Sequence, residues 1–152
     1  VSSAELPRFI ESLDDTWDGL SLTMPLKQTV RPLLVAECPI STLTGAVNTA
    51  VRGQDGWEGI NTDVWGASTA IRQHGVAKLR RAILLGAGAT ASSLVVALHD
   101  LGVETLAIVA RDSSRTVEAR ELAQNLGMEA HTALFGQTLD SSDILVSSLP
   151  SD

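Results

Sequence analysis

The sequence predicts an α/β protein: an α/β unit followed by a doubly wound parallel sheet. Two patterns carry that reading. From Arg81 onward, apolar runs alternate with segments of helical period: Ala82 to Leu85, Leu94 to Leu101, Thr105 to Val109, Val117 to Leu126 and Ile144 to Leu149. Strands alternating with helices imply βαβ units and a parallel sheet. Upstream, Ala46 to Arg52 and Trp57 to Asn61 bracket Gly53-Gln54-Asp55-Gly56, the pattern of a β-hairpin with a glycine-rich turn. A hydrophobic content of 44% over 152 residues is enough for a real core.

In chain order, Ser2 and Ser3 are placed to cap a helix bearing Leu6, Phe9, Ile10 and Leu13 on one face and ending near Asp14-Asp15. Asp18 to Met24 reads as a strand. Pro25 suits the first turn of a second helix with Val30, Leu33 and Leu34 as its stripe, and Pro32 should bend or shorten that helix. After the hairpin, a helix from about Thr62 to His74, with Val64, Ala67, Ala70 and Ile71 inward, ends at Gly75 in a left-handed cap. This helix connects the two halves, which places the expected domains at 1–75 and 76–152. Gly102 and Gly127 stand where later helices should stop.

Several function classes are disfavoured by composition. The net charge of −7 repels phosphate backbones, and the basic residues are scattered apart from Lys78, Arg80 and Arg81, so neither nucleic acid nor an anionic membrane is an expected partner. Aromatics are scarce, with no Tyr, two Phe and three Trp, so aliphatic and alanine packing must fill the interior. Trp57 and Trp65 read as packing residues, in the core or between domains. Cys38 is the only cysteine and reads as a buried small hydrophobe. His74, His99 and His131 lie too far apart in sequence for a typical metal site, so no metal is expected. The N-terminal residues lack a basic segment followed by an apolar one, and a cytoplasmic location is the expectation.

The segment Ile83-Leu84-Leu85-Gly86-Ala87-Gly88-Ala89-Thr90-Ala91 has a strand, a tight Gly-x-Gly turn and a helix start in the order of a dinucleotide-binding Rossmann unit. Gly86 permits the turn, Gly88 lets a pyrophosphate approach the backbone, and Ala91 allows close helix-to-strand packing. Ala87, Ala89 and Thr90 complete the turn and the helix N-terminus that would face the phosphates. Coenzyme identity is expected at the end of the next strand, in Val109-Ala110-Arg111-Asp112-Ser113-Ser114-Arg115. Arg111 and Arg115 make a two-armed clamp for the 2′-phosphate of NADP, while Asp112 keeps NAD as an alternative. Alternatively, Asp112 and Ser113 cap the following helix and both arginines are solvated.

Upstream of the glycine turn lie Ser21-Leu22-Thr23-Met24-Pro25-Leu26-Lys27, Thr44-Gly45-Ala46-Val47-Asn48-Thr49 and Asn61-Thr62-Asp63. In order and wording these three segments resemble the shikimate dehydrogenase family. The resemblance implies that Lys27 and Asp63 form a dyad handling the proton on the reacting oxygen, and that Thr23, Asn48, Asn61 and Thr62 hold substrate hydroxyl groups. It implies reversible, NADP-dependent reduction of 3-dehydroshikimate to shikimate, on the way to aromatic amino acids. The lysine suits the role physically, because the positive end of a helix disfavours its ammonium form while a nearby carboxylate favours it. Each residue also has a plain structural reading: a solvated lysine, an N-cap at Asp63, a hairpin asparagine bonding its own backbone.

The resemblance covers nearly the whole chain, with Ala110 departing from the asparagine common before the arginine. Family members are longer at both ends, carrying serines for the substrate carboxylate before the counterpart of Val1 and more of the Rossmann sheet after that of Pro150. The expectation is therefore an internal segment or truncated form, with a partial substrate domain followed by a partial NADP domain, prone to self-association through unpaired edges. Two rivals remain: a quinate/shikimate or aminoshikimate dehydrogenase relative, and a nucleotide-binding module without catalysis.

Overall fold

A computed structural model describes residues 1–76 and 78–150. The chain divides into two compact units, Val1–Thr62 and Asp63–Asp152.

The first unit begins with α1 (Leu6–Glu11). Its start is tied differently from the expected serine cap: the backbone N–H and the hydroxyl of Ser2 both donate to Glu5 Oε2, each at 2.8 Å. Strand β1 is short (Gly19–Ser21), and α2 (Leu26–Thr29) passes directly into a 3-10 turn at Arg31–Leu33. Pro32 lacks an N–H to continue an α-helix, so the expected shortening is observed. Strand β2 (Ala36–Glu37) and helix α3 (Pro39–Thr44) precede the hairpin of β3 (Thr49–Arg52) and β4 (Trp57–Ile60). The sheet order is β1-β3-β4-β2, with β2 parallel to β4 and the other pairs antiparallel. Leu6, Leu22, Val30, Val47, Ala50 and Trp57 form its core. The Arg52 guanidinium lies 4.5 Å from the Trp57 ring centroid and donates to the carbonyls of Leu13, Asp14 and Trp17, which pins the loop after α1 to the sheet.

The second unit opens with α4 (Asp63–Gln73), followed by β5 (Arg81–Leu85), α5 (Ala89–Asp100), β6 (Thr105–Ala110), a 3-10 turn at Ser113–Thr116, α6 (Val117–Asn125), β7 (Glu129–Leu134) and β8 (Ile144–Ser147). All four strands are parallel, in the order β7-β6-β5-β8. The core joins Leu84, Leu106 and Ile108 of the sheet to Ala91, Val95, Leu98, Ala119 and Ala123 of the helices. Small residues on the helices let them lie close on the sheet, which compensates for the shortage of aromatics. Asp143 ties β8 to β5: its Oδ2 accepts the backbone N–H groups of Arg80 and Arg81 at 2.8 and 2.9 Å, while its own N–H donates to Arg81 O at 2.8 Å. Among the described residues, no helix is long and apolar enough to cross a membrane, and no group of three or more His, Cys, Asp or Glu could hold a metal ion.

Three points bear on the expectations. The compact units divide at 62/63, whereas the expected domains divide at 75/76; α4 packs on α5, and Ile71 joins the second core. Trp57 is buried as expected, but Trp65 is 72% exposed and belongs to neither core cluster, although its neighbour Val64 on α4 is buried. Strand β7 has no apolar run to announce it: Glu-Ala-His-Thr-Ala-Leu buries only Ala133, as suits an edge strand.

Candidate functional site

In the first unit, the predicted polar residues converge on one edge of the sheet. The register places Ser21 opposite Thr49 and Thr49 opposite Ile60. The residues just beyond, Thr23 after β1, Asn48 before β3, and Asn61 and Thr62 after β4, therefore leave neighbouring strands at the same end. Two backbone bonds extend the ladders into this edge, from Leu22 N to Asn48 O (2.7 Å) and from Asn48 N to Ile60 O (3.2 Å). Lys27 is brought to it through its carbonyl, which accepts the N–H of Val47 at 2.8 Å. Thr23 begins the turn into α2, its carbonyl accepting from Leu26 N at 2.7 Å across a cis Met24–Pro25 bond.

Asn48 and Thr62 are bound to each other. Asn48 Nδ2 donates to Thr62 Oγ1 at 2.8 Å, and Asn48 Oδ1 accepts from Thr62 N at 3.0 Å and from Thr49 Oγ1 at 3.1 Å. A threonine hydroxyl that accepts one bond still has its own hydrogen to donate, so Thr62 can serve an acceptor on a ligand. Asn61 is different: it is 6% exposed, and its Nδ2 donates to Thr44 Oγ1 and Ala46 O, both at 3.0 Å. That amide braces the 44–48 turn from beneath. Asp63 follows Thr62 directly and is the first residue of α4, in the second unit.

Cys38 is a residue whose environment the sequence did not reveal. It is half-buried and caps α3, its Sγ accepting from Ser41 N at 3.4 Å. Burial pushes the thiol up, but hydrogen bonds from the Ser41 hydroxyl and from the N–H groups of Asn61, Ser41 and Ile40 outweigh it and leave the thiol below its ordinary value. It acts as a capping acceptor, which corrects the reading as a small hydrophobe. The cue was Cys38 before Pro39, since proline favours the first helical position and puts its neighbour at the cap.

The glycine turn of the second unit is built as its spacing predicts. Gly86 sits at φ 100°, and its N–H donates to Val109 O at 2.9 Å, which locks the turn to the end of β6. A Cβ at this position would collide with Ser148 Oγ. Ser148 is itself held by bonds from its N and Oγ to Leu85 O, at 2.8 and 3.0 Å. Gly88 caps α5 without a side-chain hydrogen bond, and a Cβ there would meet nothing within 4 Å. The backbone at Gly88 therefore borders open space at a helix N-terminus, which fits a dinucleotide pyrophosphate. Ala87, Ala89 and Thr90 are half-buried around the turn, and Ala91 is fully buried where α5 meets the sheet.

Beside this turn, β6 ends and the exposed segment Arg111 to Arg115 begins. Asp112 caps the 3-10 turn, its Oδ1 accepting from Ser114 N at 2.9 Å. Hydrogen bonds from the Ser114 hydroxyl and N–H, helped by the charge of Arg115, hold its carboxyl below the usual range. The capping role foreseen for Asp112 is present, and both arginines reach solvent at the carboxyl edge of the parallel sheet, the side where doubly wound sheets bind ligands.

Comparison with known proteins accords with both halves of this geometry. The family model described as Shikimate / quinate 5-dehydrogenase matches residues 68–152. A shikimate dehydrogenase (NADP(+)) of Anaeromyxobacter dehalogenans is 39% identical over 120 residues, covering 78% of this chain and 43% of that protein. The crystal structure of Mycobacterium tuberculosis shikimate dehydrogenase superposes with a TM-score of 0.87 at 31% identity, covering 99% of this chain and 56% of that one. A Thermus thermophilus shikimate 5-dehydrogenase, solved in complex with NADP(H) and shikimate, gives a TM-score of 0.74 at 29% identity over 86% of this chain and 49% of its own. The chain thus spans about half the length of the relatives it matches. With a family model that matches more than half of its residues, the chain belongs to the shikimate / quinate 5-dehydrogenase family.

Proposed function

We propose that this chain carries the proton-transfer dyad and the coenzyme turn of an NADP-dependent oxidoreductase that interconverts 3-dehydroshikimate and shikimate. The observation that carries this reading is the convergence of Thr23, Lys27, Asn48 and Thr62 on one sheet edge, in a chain that also holds the Gly86–Gly88 turn. Residues 1–75 contribute to the substrate side and 76–152 to the NADP side. On the substrate side, Thr23, Asn48 and Thr62 bind ring hydroxyls; Asn61 completes the set from beneath, its buried amide donating to Thr44 and Ala46. Lys27 donates a proton to the carbonyl oxygen as it becomes an alkoxide and takes it back in the reverse direction, with Asp63 holding the ammonium in place. The nicotinamide, when bound, supplies or accepts the hydride. On the coenzyme side, residues 86–91 face the pyrophosphate, and Arg111 and Arg115 take the 2′-phosphate.

The substrate places the enzyme on the route to aromatic amino acids, in the cytoplasm, with self-association through sheet edges as a further part of the reading. Quinate is a second substrate to consider, because the matching family description names both dehydrogenase activities. The test is shikimate-dependent reduction of NADP by the purified chain, with quinate, NAD and Lys27→Ala in parallel. Turnover abolished by the substitution supports the dyad. Dinucleotide binding that never yields turnover, and is indifferent to Lys27→Ala, would instead leave a binding module.

A further inference from the structure

We infer that Gly66 is the point of closest approach of the substrate to α4: the bare backbone one turn after Asp63 is where the edge of the polyhydroxylated ring that carries the reacting oxygen lies against the helix. The inference rests on the substrate reading above and adds to it a residue that has no side-chain chemistry of its own.

Elimination among the twelve glycines singles out this position. Seven adopt a positive φ, between 65° and 143°, which L side chains rarely take. At three others, Gly19, Gly53 and Gly59, a Cβ would press against Ala50, Glu58 or Leu34. Gly66 and Gly88 have neither reason: neither has a positive φ, and a Cβ at either would meet nothing within 4 Å. Gly88 has its explanation outside the chain, in the pyrophosphate that the coenzyme reading brings to it. Gly66 calls for one of the same kind, because it lies inside α4 (Asp63–Gln73), where glycine weakens a helix relative to alanine.

The place of Gly66 on the helix indicates what comes close. Residues three apart share a face, so Gly66 sits one turn beyond Asp63. Side chains of a helix lean toward its N-terminus, so any side chain at position 66 would cover the turn that carries Asp63. Gly66 is exposed, so the surface it leaves bare is open to a ligand. Thr62, whose hydroxyl accepts from Asn48 and keeps its own hydrogen to donate, immediately precedes this turn. A ring bound through that hydroxyl, with its reacting oxygen near Asp63, therefore lies over residue 66. A methyl group there would hold the ring off the helix, and a larger side chain would displace it.

The experiment is calorimetric titration of the purified chain with shikimate, and separately with NADP, compared with Gly66→Ala and Gly66→Leu. Ala70→Leu, at an exposed position one turn further along α4, controls for added bulk. Gly66→Ala should melt about 1–4 °C higher than the unsubstituted chain, because alanine is the better helix former. It should nevertheless bind shikimate about 5- to 50-fold more weakly, and Gly66→Leu more than about 100-fold more weakly. NADP affinity in both variants, and shikimate affinity in Ala70→Leu, should stay within about twofold. A role in folding alone would lower the melting temperature and leave binding unchanged. If both Gly66 variants fold and bind shikimate within about twofold of the unsubstituted chain, this inference fails while the substrate reading stands. Equal losses for shikimate and NADP would also overturn it, by showing a general disturbance of α4. So would a change of oligomeric state in Gly66→Leu with shikimate binding intact, which would give the bare surface to a second copy of the chain. If the unsubstituted chain binds no shikimate, the inference and the substrate reading fall together.

Discussion

Asn48 and Thr62 close one edge of the first sheet by a reciprocal pair of hydrogen bonds, Asn48 Nδ2 to Thr62 Oγ1 at 2.8 Å and Thr62 N to Asn48 Oδ1 at 3.0 Å. The two residues are 14 apart in sequence and meet because β3 and β4 are antiparallel neighbours whose register puts Thr49 opposite Ile60. One side chain therefore both splices the strand ends and sets the direction of the Thr62 hydroxyl. Asn48→Ala should cost about 1–2 kcal/mol in thermal or urea unfolding. In the complete enzymatic assay it should raise the KM for shikimate well beyond any change in the affinity for NADP. Equal losses in both would show that Asn48 is only a fold residue.

On the proposed reading, Lys27 serves the chemistry and not the binding of the coenzyme. The bond from Val47 N to the Lys27 carbonyl belongs to the backbone, so Lys27→Ala should keep this contact, which a thermal melt checks. Turnover should drop by about 10²- to 10⁴-fold, the usual worth of a positioned acid–base group. The NADP dissociation constant should stay unchanged, which a titration of both proteins checks directly.

Gly86 and Gly88 should respond oppositely to the same substitution. Gly86→Ala forces a side chain into a left-handed conformation at φ 100° and against Ser148, so a loss of roughly 1–3 kcal/mol should appear as a lower melting temperature. Gly88→Ala meets open space in the free protein and should leave the melt nearly unchanged. Its methyl group would instead occupy the approach of the pyrophosphate, and dinucleotide affinity should fall more than tenfold. A Gly88→Ala protein that binds NADP normally would remove the pyrophosphate from this turn.

Acid should loosen the β5–β8 junction. The N–H groups of Arg81 and Arg80, with the charges of the two arginines, hold the Asp143 carboxyl below its usual range. A carboxyl depressed on folding contributes fully at pH values above its unfolded pKa, and that contribution is lost as pH falls through the lower, folded value. The pH dependence of unfolding at the acid end, below about pH 4, should therefore be flatter in Asp143→Asn than in the unsubstituted chain. Identical slopes would show that Asp143 has the same pKa folded and unfolded.

Much of this protein was legible as pattern. Period and punctuation locate β5, α5, β6, α6 and β8 to within a few residues, because a buried parallel strand must be apolar throughout and its helix must carry an apolar stripe. The Gly86–Gly88 turn was readable for a similar reason: few residues other than glycine tolerate φ near 100°, so the backbone shape leaves its mark on residue identity. Harder to read were elements that bury little. Strand β7, β2 and α3 are short or lie at edges, where partner strands rather than their own residues decide that they form.

By itself, then, the sequence determined the α/β class, the dinucleotide turn and the set of polar residues available for chemistry, since each is written in local period or in residue types with few alternatives. Only the tertiary structure decided what those residues do for one another. The register of β1, β3 and β4 gathers Thr23, Asn48 and Thr62 at one edge; burial commits Asn61 to Thr44 and Ala46; a cap fixes Asp112. The same packing turns Cys38 into a hydrogen-bond acceptor and leaves Trp65 exposed. The reason is physical: a side chain's partners come from segments distant in sequence, and contact between them depends on strand pairing and burial, neither of which any local stretch encodes.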